Sequence, residues 1–140
     1  MRVLSDDEVA RLLDLGELLP EIERAFRKQG RGEVERPERP HFPVGAGIEG
    51  EEPLGTGLTM PAYVHGDDHY ATKLASVHEG NAERGLPTVR AQIAVTDART
   101  GEPAALLAGT RITNARTGCI GGLAADRLAV GTGPVTLGIV

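Results

Sequence analysis

The sequence predicts an α+β domain in which N-terminal helices pack on a mostly antiparallel sheet and one long helix follows. Three observations point there. Helical spacing of apolar residues is confined to residues 5–30 and 110–129, period-two alternation dominates the stretch between, and short turn-rich links join consecutive strand candidates.

The elements follow in order. Ser5-Asp6-Asp7-Glu8 reads as a capping box, with Val9, Leu12 and Leu13 at helical spacing behind it and three acids at the positive end of the helix dipole. Gly16 is expected to break this first helix. A second is expected from near Glu17, with Pro20 in its first turn, an apolar face of Leu18, Ile22, Ala25 and Phe26, and Gly30 to close it. Residues 29–57 carry Pro37, Pro40, Pro43 and Pro53 among several glycines, which predicts an extended, loop-rich segment with an edge strand near 36–44. Leu58 to Val64 and Tyr70 to Val77 form a hairpin around His65-Gly66-Asp67-Asp68. Val89, Ala91, Ile93 and Val95 alternate with Arg90, Gln92 and Ala94, giving one buried and one wetter face. Pro103 to Leu107 is the return strand, and Thr110 to Ala129 the long helix, with an apolar stripe of Ile112, Ala115, Cys119, Leu123 and Leu128. Gly118, Gly121 and Gly122 each cost about 1 kcal/mol against alanine inside a helix, so they predict close packing against a ligand or another backbone. Val135 to Val140 reads as a short apolar strand.

Composition narrows the function. With 140 residues, 40% hydrophobic and 25% charged, the chain has the makeup of one soluble globular domain. A net charge of -5 with no basic run argues against nucleic acid and anionic lipid as partners. Cys119 is the lone cysteine, which rules out an internal disulfide. The amphipathic opening MRVLSDDEVARLLDL lacks the apolar core of a signal peptide, and no stretch is apolar enough to span a membrane, so a cytoplasmic location is expected.

Few residues suggest chemistry on their own. Lys73 sits mid-strand in HYATKLASV, on the same face as Ala71 and Ala75. It reads as a solvent-facing lysine or, more sharply, as a cation that a rigid strand holds for a carboxylate. Arg116 lies one helical turn from both Ile112 and Ile120 and beside Gly118. A surface arginine and a bidentate clamp for carboxylate or phosphate fit it equally. Arg36 and Arg39, in ERPERPHFP, read as loop-surface arginines. His65 and His69 flank Asp67 and Asp68 across a turn, a spacing that suits a solvated turn better than a metal site. Cys119, on an apolar stripe, reads as a small buried side chain rather than a nucleophile.

Five segments taken together carry more. LSDDEVARLLD at the start, MPAYV at 60–64, TKLASVHEGNAERGLPTV at 72–89, VTDARTGEPAALLAG at 95–109 and TRITNARTG at 110–118 resemble, in order and spacing, the N-terminal half of the ornithine cyclodeaminase/mu-crystallin family, which also includes archaeal alanine dehydrogenases and imine reductases. The resemblance implies roles for particular residues. Arg39 in a P-x-R element, Lys73 after the MPAY strand and Arg116 in a T-x-x-R-T helix start would surround the carboxylate of a small amino or imino acid. Thr88, Arg116 and Thr117 would lie near an NAD cofactor. It further implies a homodimer formed through this half, and a division into a substrate-binding and dimerisation domain over residues 1–130 and the start of a truncated Rossmann domain over 131–140. The glycine loop, ribose-binding acid and catalytic aspartate of the family would fall beyond Val140. The 140 residues alone are then expected to lack dehydrogenase or cyclodeaminase activity and to bind NAD weakly or not at all. The competing expectation is a non-catalytic dimerising or small-molecule-binding module, as mu-crystallin is in that family.

Overall fold

The structure, a computed structural model, describes residues 1–131, 133 and 136. The strand expected over 135–140 lies, but for Thr136, outside the described residues. The elements run β1 (Arg2–Leu4), α1 (Asp6–Leu12), α2 (Leu15–Gly30), β2 (Val34–Glu35), β3 (His41–Val44), β4 (Gly55–Val64), β5 (His69–Val77), a short 3-10 helix (Glu79–Arg84), β6 (Val89–Asp97), β7 (Pro103–Ala108) and α3 (Thr110–Leu128). The fold is the expected mixed one. Seven strands form one sheet in the order β1-β7-β6-β5-β4-β2, with β3 also on β4, and every pairing is antiparallel except β1 on β7.

The expected capping box opens α1. The Ser5 amide donates to Glu8 Oε2 at 2.8 Å and the Glu8 amide donates to Ser5 Oγ at 3.4 Å. The break between the two helices does not fall at Gly16. Leu13 is extended, and Asp14 Oδ1 accepts from the Glu17 amide at 3.0 Å, so α2 starts at Leu15. A carboxylate that satisfies an orphan amide is a stronger start signal than a glycine is a stop. Gly16 and Pro20 are consequently inside α2. Pro20 deprives only the Gly16 carbonyl of its helical donor, and both residues are exposed, so water takes that place.

The proline-rich stretch also differs from expectation. Instead of one edge strand it forms two short ones, with residues 36–40 between them carrying no strand. Both lie on β4, β2 at its Tyr63–Val64 end and β3 at its Gly55–Leu58 end. The segment after β5 forms a 3-10 helix, closed by Gly85 at φ +66°. β1 has no counterpart in the sequence reading, and its partners lie about a hundred residues away.

Two ties hold the helices to the sheet. The Gly109 amide donates to the Ala91 carbonyl at 2.8 Å, and the Ala91 amide donates to Thr110 Oγ1 at 3.1 Å, so α3 starts locked onto β6. Gly109 suits this close approach, because a Cβ would lie 3.0 Å from Ile93 Cγ1 and 3.2 Å from the Ala91 carbonyl oxygen, tighter than ordinary contact. At the hairpin end, Arg24 of α2 makes a bidentate pair with Asp67 at 3.1 Å per bond, and Lys28 donates to the His65 carbonyl. The core is thin. Among the described residues only Val9, Ala91 and Cys119 count as buried apolar side chains. Leu128, expected on the apolar stripe of α3, is 77% exposed. Gly118, Gly121 and Gly122 face open space among the described residues, which do not supply the close packing they suggested.

Candidate functional site

Strand register carries Lys73 to the middle of the sheet. It stands opposite Met60 of β4 and Ile93 of β6. Ile93 stands opposite Leu107, and Leu107 opposite Leu4, so one row of side chains crosses a single face. Leu4 and Leu107 share an apolar hollow with Val9, Leu13 and Ile112, which makes this the helix-covered face. Arg39 comes near this row. β3 pairs His41 with Leu58, and the Thr59 amide donates to the Pro40 carbonyl at 3.1 Å. Arg39 precedes that tie by one residue, is exposed, and its charge acts on Lys73.

The third cation comes from above. Thr113, in the first turns of α3, lies 3.5 Å from Lys73 Nζ through its hydroxyl oxygen. Arg116 follows three residues later, on the same side of the helix. Burial holds the Lys73 ammonium below its ordinary pKa, and the charges of Arg116 and then Arg39 push it the same way. Three positive groups thus act on one another across the sheet–helix junction. None of the three belongs to an ion pair among the described residues, and neither do Arg2, Arg11, Arg31, Arg36 and Arg90; the trio is set apart by the charges that meet at Lys73. Around them, Met60, Ala71, Ala75 and Ile93 supply an apolar floor. The arrangement suits a small anion with an apolar body: cations to fork a carboxylate, and no ion pair among the described residues to compete.

The other expected residues are placed differently. Thr117 neighbours Arg116 on α3 and is exposed, with its hydroxyl donating to the Thr113 carbonyl at 2.7 Å. Thr88 precedes β6, and its carbonyl accepts from the His78 amide at 2.9 Å. Thr88 is five residues along β6 from Ile93, about 17 Å at strand spacing. The structure therefore brings Arg39, Lys73 and Arg116 together and leaves Thr88 at the sheet end. A cleft of about 620 Å³, lined in part by Asp6, Leu74, Arg90 and Thr110, contains none of these residues. Charge marks the site here, and depth does not. His65 and Asp67 are engaged elsewhere: His65 Nε2 is 2.8 Å from Glu35 Oε1, and Asp67 pairs with Arg24.

Sequence reasoning quoted Thr113 only as part of a motif and gave it no role. The signal was available, since Thr113 precedes Arg116 by one helical turn. What was lacking was the register that sets β5 beneath that turn.

Comparison with known proteins agrees in extent and in fold. The sequence profile described as the ornithine cyclodeaminase/mu-crystallin family matches residues 1–140. An alanine dehydrogenase of Archaeoglobus fulgidus is 34% identical over 127 residues, covering 91% of this chain and 36% of that protein. The Thermococcus litoralis Delta(1)-pyrroline-2-carboxylate reductase, solved with NADH and L-proline, superimposes with a TM-score of 0.81 at 34% identity over 90% of this chain and 37% of that one. An archaeal alanine dehydrogenase dimer with bound NAD gives 0.79 at 30% identity, over 90% of this chain and 36% of its own. The chain spans between a third and two fifths of the length of these relatives.

Proposed function

The chain belongs to the ornithine cyclodeaminase/mu-crystallin family, and from that premise we propose that it is the substrate-binding and dimer-forming part of an NAD-dependent enzyme acting on a small L-amino acid or its imine. The observation that carries this is the trio Arg39, Lys73 and Arg116, which act on one another without a carboxylate partner among the described residues. Each has the chemistry of an anion clamp. Arg116 offers a rigid fork, Lys73 a point charge on a strand, and Arg39 a second fork from the facing edge. A carboxylate held by all three would leave its α-carbon over the apolar floor, fixed for reaction. In the oxidative direction that carbon loses a hydride and the amine nitrogen loses a proton, giving an imine. For ornithine, the side-chain amine would then attack the imine carbon and expel ammonia, leaving a cyclic imine that takes the hydride and a proton back to become proline, and a reductase would carry out only that return of hydride.

NAD, when bound, supplies the hydride acceptor. The described residues offer it little: the unpartnered Arg116, Thr117 with its hydroxyl already donated, and Thr88 at the sheet end. No glycine loop at a helix start is among them, and such a loop is the usual anchor for a pyrophosphate. We assign residues 1–130 to the substrate and dimer domain and 131–140 to the start of the nucleotide domain. On the same reading the protein works in the cytoplasm as a homodimer. Support for the dimer is the sheet face away from the helices, where Val3, Phe42, Tyr70 and Leu74 are 64%, 51%, 39% and 47% exposed.

Calorimetry on the 140-residue chain tests the reading. L-proline is expected to bind with a dissociation constant on the order of millimolar, about 4 kcal/mol, and Lys73→Ala is expected to abolish that binding. NAD is expected to bind more weakly than about 1 mM, with no turnover of L-proline or L-alanine. Micromolar NAD affinity or measurable turnover would overturn the assignment of residues 1–130 to substrate and dimer alone.

A further inference from the structure

One side chain next to the three cations is held in place by more bonds than its position in a helix requires. Thr113 donates its hydroxyl hydrogen to the Gly109 carbonyl at 2.8 Å, and the same carbonyl accepts the Thr113 amide at 2.9 Å. Gly109 is itself fixed, its amide on the Ala91 carbonyl and its α-carbon against Ile93. A hydroxyl has one hydrogen. With that hydrogen committed to Gly109, the Thr113 oxygen can present only lone pairs to anything else nearby. What lies nearby is Lys73 Nζ, at 3.5 Å. The distance is long for a hydrogen bond, so the contact acts mainly as an oriented dipole on an ammonium in a half-buried place. Thr113 is the one side-chain acceptor that Lys73 has among the described residues. The two arginines offer it only repulsion.

We propose that Thr113 is a positioning residue for the carboxylate site: its hydroxyl, locked onto the Gly109 carbonyl, aims a lone pair at Lys73 Nζ and holds the ammonium against α3, on the side where Arg116 also stands. Without that dipole, the flexible lysine stem would swing its charge away from Arg39 and Arg116 whenever no anion is bound. The chain Ala91–Gly109–Thr113–Lys73 thus ties the position of the cation to the sheet itself. The proposal rests on the reading of Lys73 as a carboxylate ligand, and its test is built to separate the two.

The test compares Thr113→Val, which keeps the β-branched shape, with Thr113→Ser, which keeps the hydroxyl. Thr113→Ala serves as a second variant without the hydroxyl, should the valine variant fold poorly. The first readout is the pH titration of the Lys73 side chain by NMR, without ligand. Removing the acceptor should push the Lys73 titration further below its wild-type position, and serine should restore it. The second readout is L-proline binding by calorimetry, expected to weaken about two- to fivefold without the hydroxyl and to recover with serine. A Lys73 titration unmoved in both variants that lack the hydroxyl would overturn the proposal. An effect of serine as large as that of valine would overturn it too, because keeping the hydroxyl would then not keep the lysine in place. If wild-type protein shows no binding of L-proline, the carboxylate reading fails, while the titration still decides the role of Thr113.

Discussion

Lys73 sits in surroundings that oppose its own charge. Burial and two arginines disfavour the ammonium, and no acid offsets them. Its folded pKa lies below the unfolded value, so between the two values the unfolded chain holds the extra proton. Stability therefore rises with pH from the folded pKa up to the ordinary lysine range, and the penalty is present in full below it. Replacing the cation with an apolar side chain of similar length should remove the penalty. Lys73→Met is expected to raise the melting temperature at pH 7 by a few degrees and to abolish L-proline binding, as checked by calorimetric melting and titration of the same sample. A lower melting temperature would mean that the lysine is stabilising where it stands. At this scale the sequence was informative about residue type and not about setting. Alternation put Lys73 on the face of Ala71 and Ala75, but whether helix or water covers that face depends on pairings 13 to 20 residues away. Arg39 is the sharper case. It reads as a loop arginine because Pro37 and Pro40 flank it, and only the tie of Pro40 to Thr59 of β4 carries its charge near Lys73.

Among the elements, the junction of α2 with the β4–β5 hairpin is the one where charge sets the packing. Arg24 holds the Asp67 carboxyl below the usual carboxylate range, with smaller help from Lys28. The stabilisation from this pair is fully present above the unfolded carboxyl pKa and fades as pH falls through the depressed folded value. Both side chains are about a third exposed or more, so solvent screening keeps the pair modest. Asp67→Ala is expected to lower stability by about 1 kcal/mol, or about 3 °C in melting temperature. The loss should shrink at high salt if charge is the cause. At the other end of the helical layer, Ser5→Ala is expected to cost about 1 kcal/mol through the lost capping box, measured by urea unfolding. Local signals of this kind were legible: the box at Ser5, the hairpin turn at His65–Asp68, and both boundaries of α3 lie within a residue of expectation. The first helix break was misplaced because a glycine was weighed above the Asp14 cap. β1 was missed because three residues, Arg-Val-Leu, carry no periodicity and gain strand character only from Leu106 and its neighbours.

For the whole molecule, the balance of surfaces is informative. Three buried apolar residues among those described make a small core for a chain of this length. The helices pack against the Lys73 face, and the opposite face keeps Leu74 and Phe42 about half exposed. We expect a second copy to cover it, burying about 800 Å² per partner. Sedimentation velocity should show a dimer, and Leu74→Glu should weaken it at least tenfold, because the change sets an unpaired carboxylate in the contact. A monomer at high concentration would rule the dimer out. The layering of helices on a mostly antiparallel sheet was legible from the order of helical and strand patterns, whereas the choice of outer face needed the sheet to be assembled. The parallel pairing of β1 with β7 has a consequence in time. Arg2 lies against Ala105, so the sheet closes a loop of about a hundred residues, at an entropic cost of about 4 kcal/mol. At about 5–20 residues per second on the ribosome, residues 2–4 wait roughly 5–20 s for their partner to be made. Val3 and Leu4 spend that interval without a strand to pair with, so the molecule is most open to misassembly while it is being translated.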